Sequence, residues 1–403
     1  MLQEARKIQS KVVAYRRDIH RNPELGFQEF KTAALVADAL TEIGTQDIRT
    51  QVGRTGVTAT IGPADGPVIG IRADMDALPI EEQVGHSFKS DNPGVMHACG
   101  HDAHTAMLLG AAEILQQHYA TQPDAWKGRI KLLFQPAEEG FDETGTSGAT
   151  AMIEDQAVAE LDHVIALHVN STRPSGEVAV CRGDALAAVD SFEAWVRGDG
   201  GHGAMPHQGV DPLYLLSAIL PQLYGIPSRR ISPKDKCVVS LGQIAGGAAS
   251  NVIPAEVYLQ GTIRSLSDEV RQRLWHEVEQ CFKVADALGG AYEFRLHKGY
   301  PAMVNDANVT DWLEGAAADL AGPEAISSPE APFSMGAEDF AYMTRAVPGS
   351  MFMLGAAVEN GGAHHTPLFD IDEDVFPLGV AVLAETARRY VTGEANGLAT
   401  GHH

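Results

Sequence analysis

"GRIKLLFQPAEEG", residues 128–140, sets an apolar run ahead of a proline and two adjacent glutamates. Ile130, Leu132, Leu133 and Phe134 suit a strand buried on both faces, and Pro136, which has no N–H to donate, ends it. Charge comes directly after the strand. Two other stretches share the design: "PVIGIRADMDAL" (67–78) runs into Asp74 and Asp76, and "HVIALHV" (163–169) carries His168 at its end. Short apolar strands alternating with helical stretches predict an α/β fold with a largely parallel central sheet flanked by helices. In such sheets ligands gather beyond the carboxyl ends of the strands. The charged clusters all fall there.

Outward from this sheet, Val12, Val13 and Ile19, then Leu35, Val36 and Leu40, recur near helical spacing, with "NPELG" (22–26) as the break between two helices. "GSMFMLG" (349–355) reads as a late strand, and "HHTPLFDIDE" (364–373) leads into a last helix. Residues 186–300 differ in texture. "DSFEAWVRG", "CVVSLGQIAGG", "AEVYLQGTIRS" and "AYEFRLHKG" read as strands with one exposed face, separated by two helical stretches beginning at Pro212 and Asp268. About four strands and two helices predict an α+β domain over 186–300, inserted into a larger domain made of 1–185 and 301–403.

With 403 residues, 44% of them apolar, the chain can bury a full core. Its formal charge of −23 and lack of basic clusters exclude nucleic acid as the expected partner. A small acidic substrate would need local positive charge from a metal or an arginine. The four cysteines are scattered, no apolar run approaches a membrane span, and the polar N-terminus does not resemble a signal peptide, so a reducing cytoplasm is expected. The terminal "GHH" is given no functional weight.

"HACGHDAH" (97–104) carries the densest chemistry. Cys99 and His101, one residue apart, would point the same way on an extended loop, and both suit Zn²⁺ or a similar ion. Asp102 stands where a helix cap is expected, ahead of Met107, Ala111, Ile114 and Leu115. Singly, each candidate has a plainer reading: Cys99 as a small buried hydrophobe, His168 as a core histidine, Glu138 and Glu139 as a solvated pair, His365 as a loop residue. Together, Cys99, His101, Glu139, His168 and His365 supply the S, N and O donors for two metal ions sharing one ligand. A carboxylate adjacent to a ligating one can serve as general base. In the insert, His202 sits in a glycine-rich turn, while Asn251 and Arg264 suit a substrate carbonyl and carboxylate.

The ordered motifs "RRDIHRNPELGFQEFKTA", "RADMDALPI", "HACGHDAHTAMLLGAA", "FQPAEEG", "LHV", "GHGAMPHQGVDP", "SNVIP", "GTIR", "GAEDFAY" and "HHTPLFDIDE" span nearly the whole chain. In these the sequence resembles the metallopeptidase-like amidohydrolases: hippurate hydrolases, N-acyl-amino-acid amidohydrolases and plant auxin-conjugate hydrolases, within the aminoacylase–carboxypeptidase superfamily. The resemblance implies a zinc-peptidase-like catalytic domain and an inserted lid domain that builds a homodimer or higher oligomer. It implies two divalent ions per subunit, Zn or Mn first and Co or Ni compatible, with Cys99 bridging and His101, Glu139, His168 and His365 completing the set. By the same likeness Glu138 is general base and later acid, Asp74 orients a ligand, and His202 reaches the oxyanion from the partner subunit. Asn251 and Arg264 hold the substrate's carbonyl and carboxylate. His364 precedes His365, and the Thr-Pro after them favours His365. Arg72 stands where the wider superfamily opens its site with His-x-Asp.

The implied substrate is the linear amide of an N-acyl amino acid, with a dipeptide or amino-acid conjugate as the alternative. Two competing readings make Cys99 the nucleophile of a thiol amidase, with His97 or His101 as its base, or make the chain a metal-binding protein without turnover.

Overall fold

The computed structural model describes residues 1–328 and 332–395; the terminal Gly-His-His lies outside them. The chain divides into two compact units, one of Met1–Gly183, Val304–Ala331 and Asp339–His403, the other of Asp184–Met303 and Pro332–Glu338.

The first unit opens with helices α1 (Leu2–Arg21) and α2 (Phe30–Ile43). Strands β1 (Gln46–Val52), β2 (Gly56–Ile61) and β3 (Val68–Asp74) come next, then helix α3 (His101–Thr121) and strand β4 (Arg129–Gln135). Strands β5 (His163–Asn170), β6 (Val178–Ala179), β7 (Ile326–Ser327) and β8 (Gly349–Gly355) complete the sheet, and helix α4 (Phe376–Thr392) closes the unit. Among the described residues the sheet has eight strands in the order β1-β2-β4-β3-β5-β8-β6-β7. The central four, β4-β3-β5-β8, are mutually parallel. β2 joins β4, and β6 joins β8, antiparallel.

Every residue of β3 and β8 is buried, as expected of largely apolar strands covered on both faces, and the burial extends to the charged Arg72 and Asp74 at the end of β3. Alternate residues Ile69, Ile71, Ile130, Leu132, Ile165 and Leu167 join one core with Met107, Leu108 and Ala111 of α3 and Val380 and Ala384 of α4. Helix α3 is rich in small and apolar residues on nearly every side, the pattern of a helix submerged in a core.

Strand order places β3 between β4 and β5. Hydrogen-bonded strands lie about 4.8 Å apart, so chain leaving the C-terminal ends of these three strands emerges side by side. This shared exit gathers the charged clusters in one place.

Two local expectations are corrected. Cys99 and His101 do not lie on an extended loop: Gly100 adopts φ +93° and His101 is already the first residue of α3. A Cβ at position 100 would stand 2.3 Å from Val169 Cγ2, so the junction admits only glycine. Nor does Asp102 cap the helix. Gly100 occupies the cap, and the buried Asp102 carboxylate accepts from Arg16 Nε at 2.8 Å and pairs with His20 Nδ1 at 2.7 Å, fastening α1 to α3.

The second unit carries a four-stranded antiparallel sheet in the order Cys237–Ala245, Glu256–Ser265, Ala188–Arg197, Ala291–Lys298. The strand Ala188–Arg197 alternates buried with partly exposed residues, and its Phe192, Ala194 and Val196 pack with Leu215, Ile219, Leu274, Val278 and Phe282. Those partners lie on helices Pro212–Arg229 and Asp268–Phe282. Among the described residues no helix is long and apolar enough to cross a membrane.

Candidate metal centre

The C-terminal ends of the central strands, the start of α3 and the loop before α4 converge. Cys99 Sγ lies 3.5 Å from His168 Nε2. His101 Nε2 stands 3.8 Å from Glu138 Oε2, from Glu139 Oε1 and from Asp74 Oδ2. His365 Nε2 lies 3.3 Å from Glu139 Oε1. Donor atoms of Cys99, His101 and His168, of Cys99, Glu139 and His365, and of His101, Glu138 and Glu139 fall into overlapping groups, each within 4.8 Å.

The nitrogens are sorted by what holds their other side. His168 Nδ1 is 2.6 Å from the Val169 carbonyl, which leaves Nε2 with its lone pair toward Cys99. His101 Nδ1 lies 3.1 Å from Asp76 Oδ1, and its buried Nε2 has no hydrogen-bond partner. His104 has no nitrogen to spare: Nε2 accepts from the Val169 N–H at 2.9 Å, and Nδ1 lies 2.6 Å from Asp74 Oδ1. His364 Nε2 accepts from Ser171 N–H while its buried Nδ1 has no hydrogen-bond partner, and burial pushes its pKa down to about 2. His365, in the left-handed region at φ +61°, points its Nε2 at the cluster instead.

The electrostatics call for positive charge. Burial, then the carboxylates of Glu139, Glu138 and Asp74, push the Cys99 thiol well up. Burial opposes protonation of His101, yet Asp74, Asp76 and Glu139 outweigh it and raise its pKa to about 10. Burial also opposes ionisation of Asp74, but Arg72, His101 and His104 hold it well below the usual carboxylate range. A cysteine sulfur that a bound cation would draw to the thiolate, the three imidazole Nε2 atoms of His101, His168 and His365, and the Glu139 carboxylate form a donor set that fits divalent cations.

The sequence profile of peptidase family M20/M25/M40 matches residues 70–389, which contain all of these groups. The chain belongs to peptidase family M20/M25/M40. Among its relatives is the N-acetyl-L-cysteine deacetylase of Bacillus subtilis (strain 168), 38% identical over 389 residues, covering 95% of this chain and 88% of that protein. The IAA-amino acid hydrolase ILR1-like 2 of Arabidopsis thaliana is 38% identical over 403 residues, covering 97% of this chain and 88% of that protein. In structure, the chain is similar to the Bacillus subtilis YXEP protein, described as a dinuclear metal-binding peptidase of the M20 family, with a TM-score of 0.81, 31% identity, and 96% and 99% of the two chains covered. Membership of the M20/M25/M40 family makes the chain a metal-dependent amidohydrolase.

Within this M20/M25/M40 fold, three anticipated residues belong to the second unit. His202 pairs with Val252 on a two-stranded ribbon, and the Gly203 N–H donates to the Asn251 carbonyl at 2.8 Å, so His202 and Asn251 are neighbours there and both are exposed. Arg264 lies opposite Val189 on the four-stranded sheet, half-buried, and burial lowers its pKa.

Two residues with clear structural work were passed over in the sequence. Asp76, rather than Asp74, holds His101 Nδ1, and its other oxygen accepts from the Glu139 N–H at 2.9 Å. The signal was present: Asp76 comes two residues after Asp74, on the same side of an extended chain. Asp339, from "GAEDFAY", accepts from Arg72 Nη2 at 3.1 Å, Gln135 Nε2 at 2.7 Å and Ala149 N–H at 2.9 Å, and its own N–H lies 3.3 Å from Glu138 Oε1. No local pattern marks that contact, since it joins residues 201 positions apart.

Proposed function

We propose that this site cleaves the amide bond of N-acyl amino acids, with Cys99, His101, Glu139, His168 and His365 holding two divalent ions and Cys99 shared between them. Zn²⁺ and Mn²⁺ suit the mixed donors best, and Co²⁺ or Ni²⁺ are compatible with them. The observation that carries the reading is the convergence of these five side chains beside the unpartnered, buried His101 Nε2. When bound, such ions supply Lewis-acid polarisation and make water acidic enough to act near neutral pH.

Glu138 then has the proton work. Its carboxylate, held by the Asp339 N–H, takes the proton of the attacking water and passes it to the departing amine nitrogen. Arg72 bonds Asp74 Oδ2 at 2.5 Å and bonds Asp339, a buried link that holds both carboxylates in place. Asp74 in turn fixes His104 and faces His101. His202 is the donor to the developing oxyanion, supplied by the other copy of a homodimer built through the second unit. Exposed Leu213, Tyr214, Tyr224 and Ile244 on that unit support such an assembly. Asn251 and Arg264 hold the substrate's carbonyl and carboxylate. The activities for which the relatives are named support the substrate class, with amino-acid conjugates and dipeptides sharing the same mechanism. The cysteine pattern supports a cytoplasmic setting.

A thiol amidase fits less well. Cys99 Sγ has its histidine contact with His168 Nε2, at 3.5 Å, whereas no nitrogen of His97 forms a hydrogen bond among the described residues. The surrounding carboxylates also oppose a free thiolate. The test is a panel of N-acetyl, N-benzoyl and indole-acetyl amino acids and dipeptides assayed on protein of defined metal content. Release of the free amino acid is expected. A two-metal protein that hydrolyses no member of the panel sinks the reading.

A further inference from the structure

Glu29 takes no direct part in the hydrolytic chemistry, yet it is fully buried and tied to three separate segments. Its Oε1 accepts from the Phe27 N–H at 3.0 Å and the Ala137 N–H at 2.8 Å, and its Oε2 accepts from the Thr55 hydroxyl. In or beside each segment stands a non-glycine residue in the left-handed region: Phe27 at φ +61°, Arg54 at +82° and Ala137 at +44°. Such conformations cost on the order of 1–3 kcal/mol and persist only where the surroundings over-determine them.

At Ala137 the determinants are visible. Its N–H is spent on Glu29, and its carbonyl accepts from Gly148 N–H at 2.9 Å. Gly26 approaches so closely that a Cβ there would stand 2.9 Å from Ala137 Cβ. The next residue is Glu138, and the Glu139 N–H is taken by Asp76. The short stretch that presents both glutamates is therefore gripped by two buried carboxylates, Glu29 ahead of it and Asp76 at its end.

We propose that Glu29 is a positioning residue for the hydrolytic reaction, fixing the backbone at Ala137 and thereby aiming Glu138 and Glu139. The proposal rests on Glu138 as the base and Glu139 as a metal ligand. A misplacement of about 1 Å at a reacting group can cost on the order of a hundredfold in rate, which is the scale at stake when a peptide relaxes out of a strained conformation. Glu29 must provide an acceptor for two N–H groups and a partner for one hydroxyl. Glutamine meets both needs, because the Thr55 hydroxyl can accept as readily as it donates. Aspartate, one methylene shorter, cannot reach all three.

The test compares Glu29→Ala, Glu29→Asp and Glu29→Gln in the metal-loaded full chain, with Glu138→Gln alongside. The Ala and Asp variants are expected to lose on the order of a hundredfold in kcat with KM nearly unchanged, and to release metal faster into a chelating buffer. The Gln variant is expected to keep both properties. If Ala and Asp variants lose only melting temperature while kcat and metal retention stay at the parent level, Glu29 is a packing residue and the proposal is overturned. Should the Ala variant not fold, equal losses in the Asp and Gln variants overturn it too. Normal turnover in Glu138→Gln instead overturns the base assignment. An inactive Glu138→Gln beside a fully active Glu29→Asp removes the Glu29 role alone.

Discussion

His101 Nε2 and Glu139 Oε1 face each other across 3.8 Å; His101 Nε2 is buried without a hydrogen-bond partner, and Glu139 Oε1 is paired with His365 Nε2 at 3.3 Å. Leaving a buried group such as His101 Nε2 unsatisfied costs about 1–3 kcal/mol, and 3.8 Å is too long for Glu139 Oε1 to satisfy it. A divalent cation held by both removes the penalty together with part of the acidic repulsion around it. Stripping metal with a chelator is therefore expected to abolish turnover and lower the melting temperature, and Zn²⁺ or Mn²⁺ should restore both. Chelated protein with parent-level melting and activity would contradict a metal centre here.

Cys99→Ala separates a ligand from a packing residue. A ligand's loss should reduce bound metal, measured by elemental analysis, in step with activity. Loss of a merely packed thiol should leave a small cavity, some lost stability and full metal content.

Glu138→Gln keeps the shape of the side chain and its acceptor for the Asp339 N–H, but not its basicity. A fall in kcat of roughly 10²–10⁴-fold is expected, with metal stoichiometry unchanged. Steady-state kinetics on one hydrolysed substrate from the panel measures it.

Arg16→Met tests the buried tie between α1 and α3. The Arg16 guanidinium is buried against Asp102, which is completely buried. Removing one partner of a buried pair typically costs about 3–5 kcal/mol, because the other charge is stranded. Denaturant unfolding should show that loss; a change within a few tenths of a kcal/mol would mean that His20 alone suffices for Asp102.

Burial, reinforced by the Asp76 carboxylate, pushes Glu29 from its ordinary 4.5 up to about 7. The folded chain then binds this proton more tightly than the unfolded chain, so the stabilisation is full below pH 4.5 and is lost as pH rises through about 7. Glu29→Gln deletes the titration. Across that window the parent protein should lose stability relative to the variant, and parallel pH–stability curves for the two would refute it.

The candidate donors were legible in the chain because metal chemistry accepts few side chains. Cys99 beside His101, and Glu138 beside Glu139 after a proline-terminated strand, carry their meaning within a few residues. The one-faced strands after residue 186 were legible through alternation such as that of Ala188–Arg197, where one face meets a core and the other does not. The Cys99–His101 geometry was misjudged for a local reason with a distant cause: Val169 leaves room for nothing but glycine at position 100, and that contact is invisible until β5 is in place.

Side-chain chemistry and periodicity, both properties of short windows, were thus enough to single out candidate ligands and to name the α/β class. Folding had to settle the rest: which of His364 and His365 turns inward, that Asp76 braces His101, and that Glu29 and Asp339 grip a loop from far along the chain. The reason is strand order. Only the placement of β3 between β4 and β5 sets their carboxyl ends side by side, and that order is fixed by the burial of the whole sheet rather than by any one segment of it.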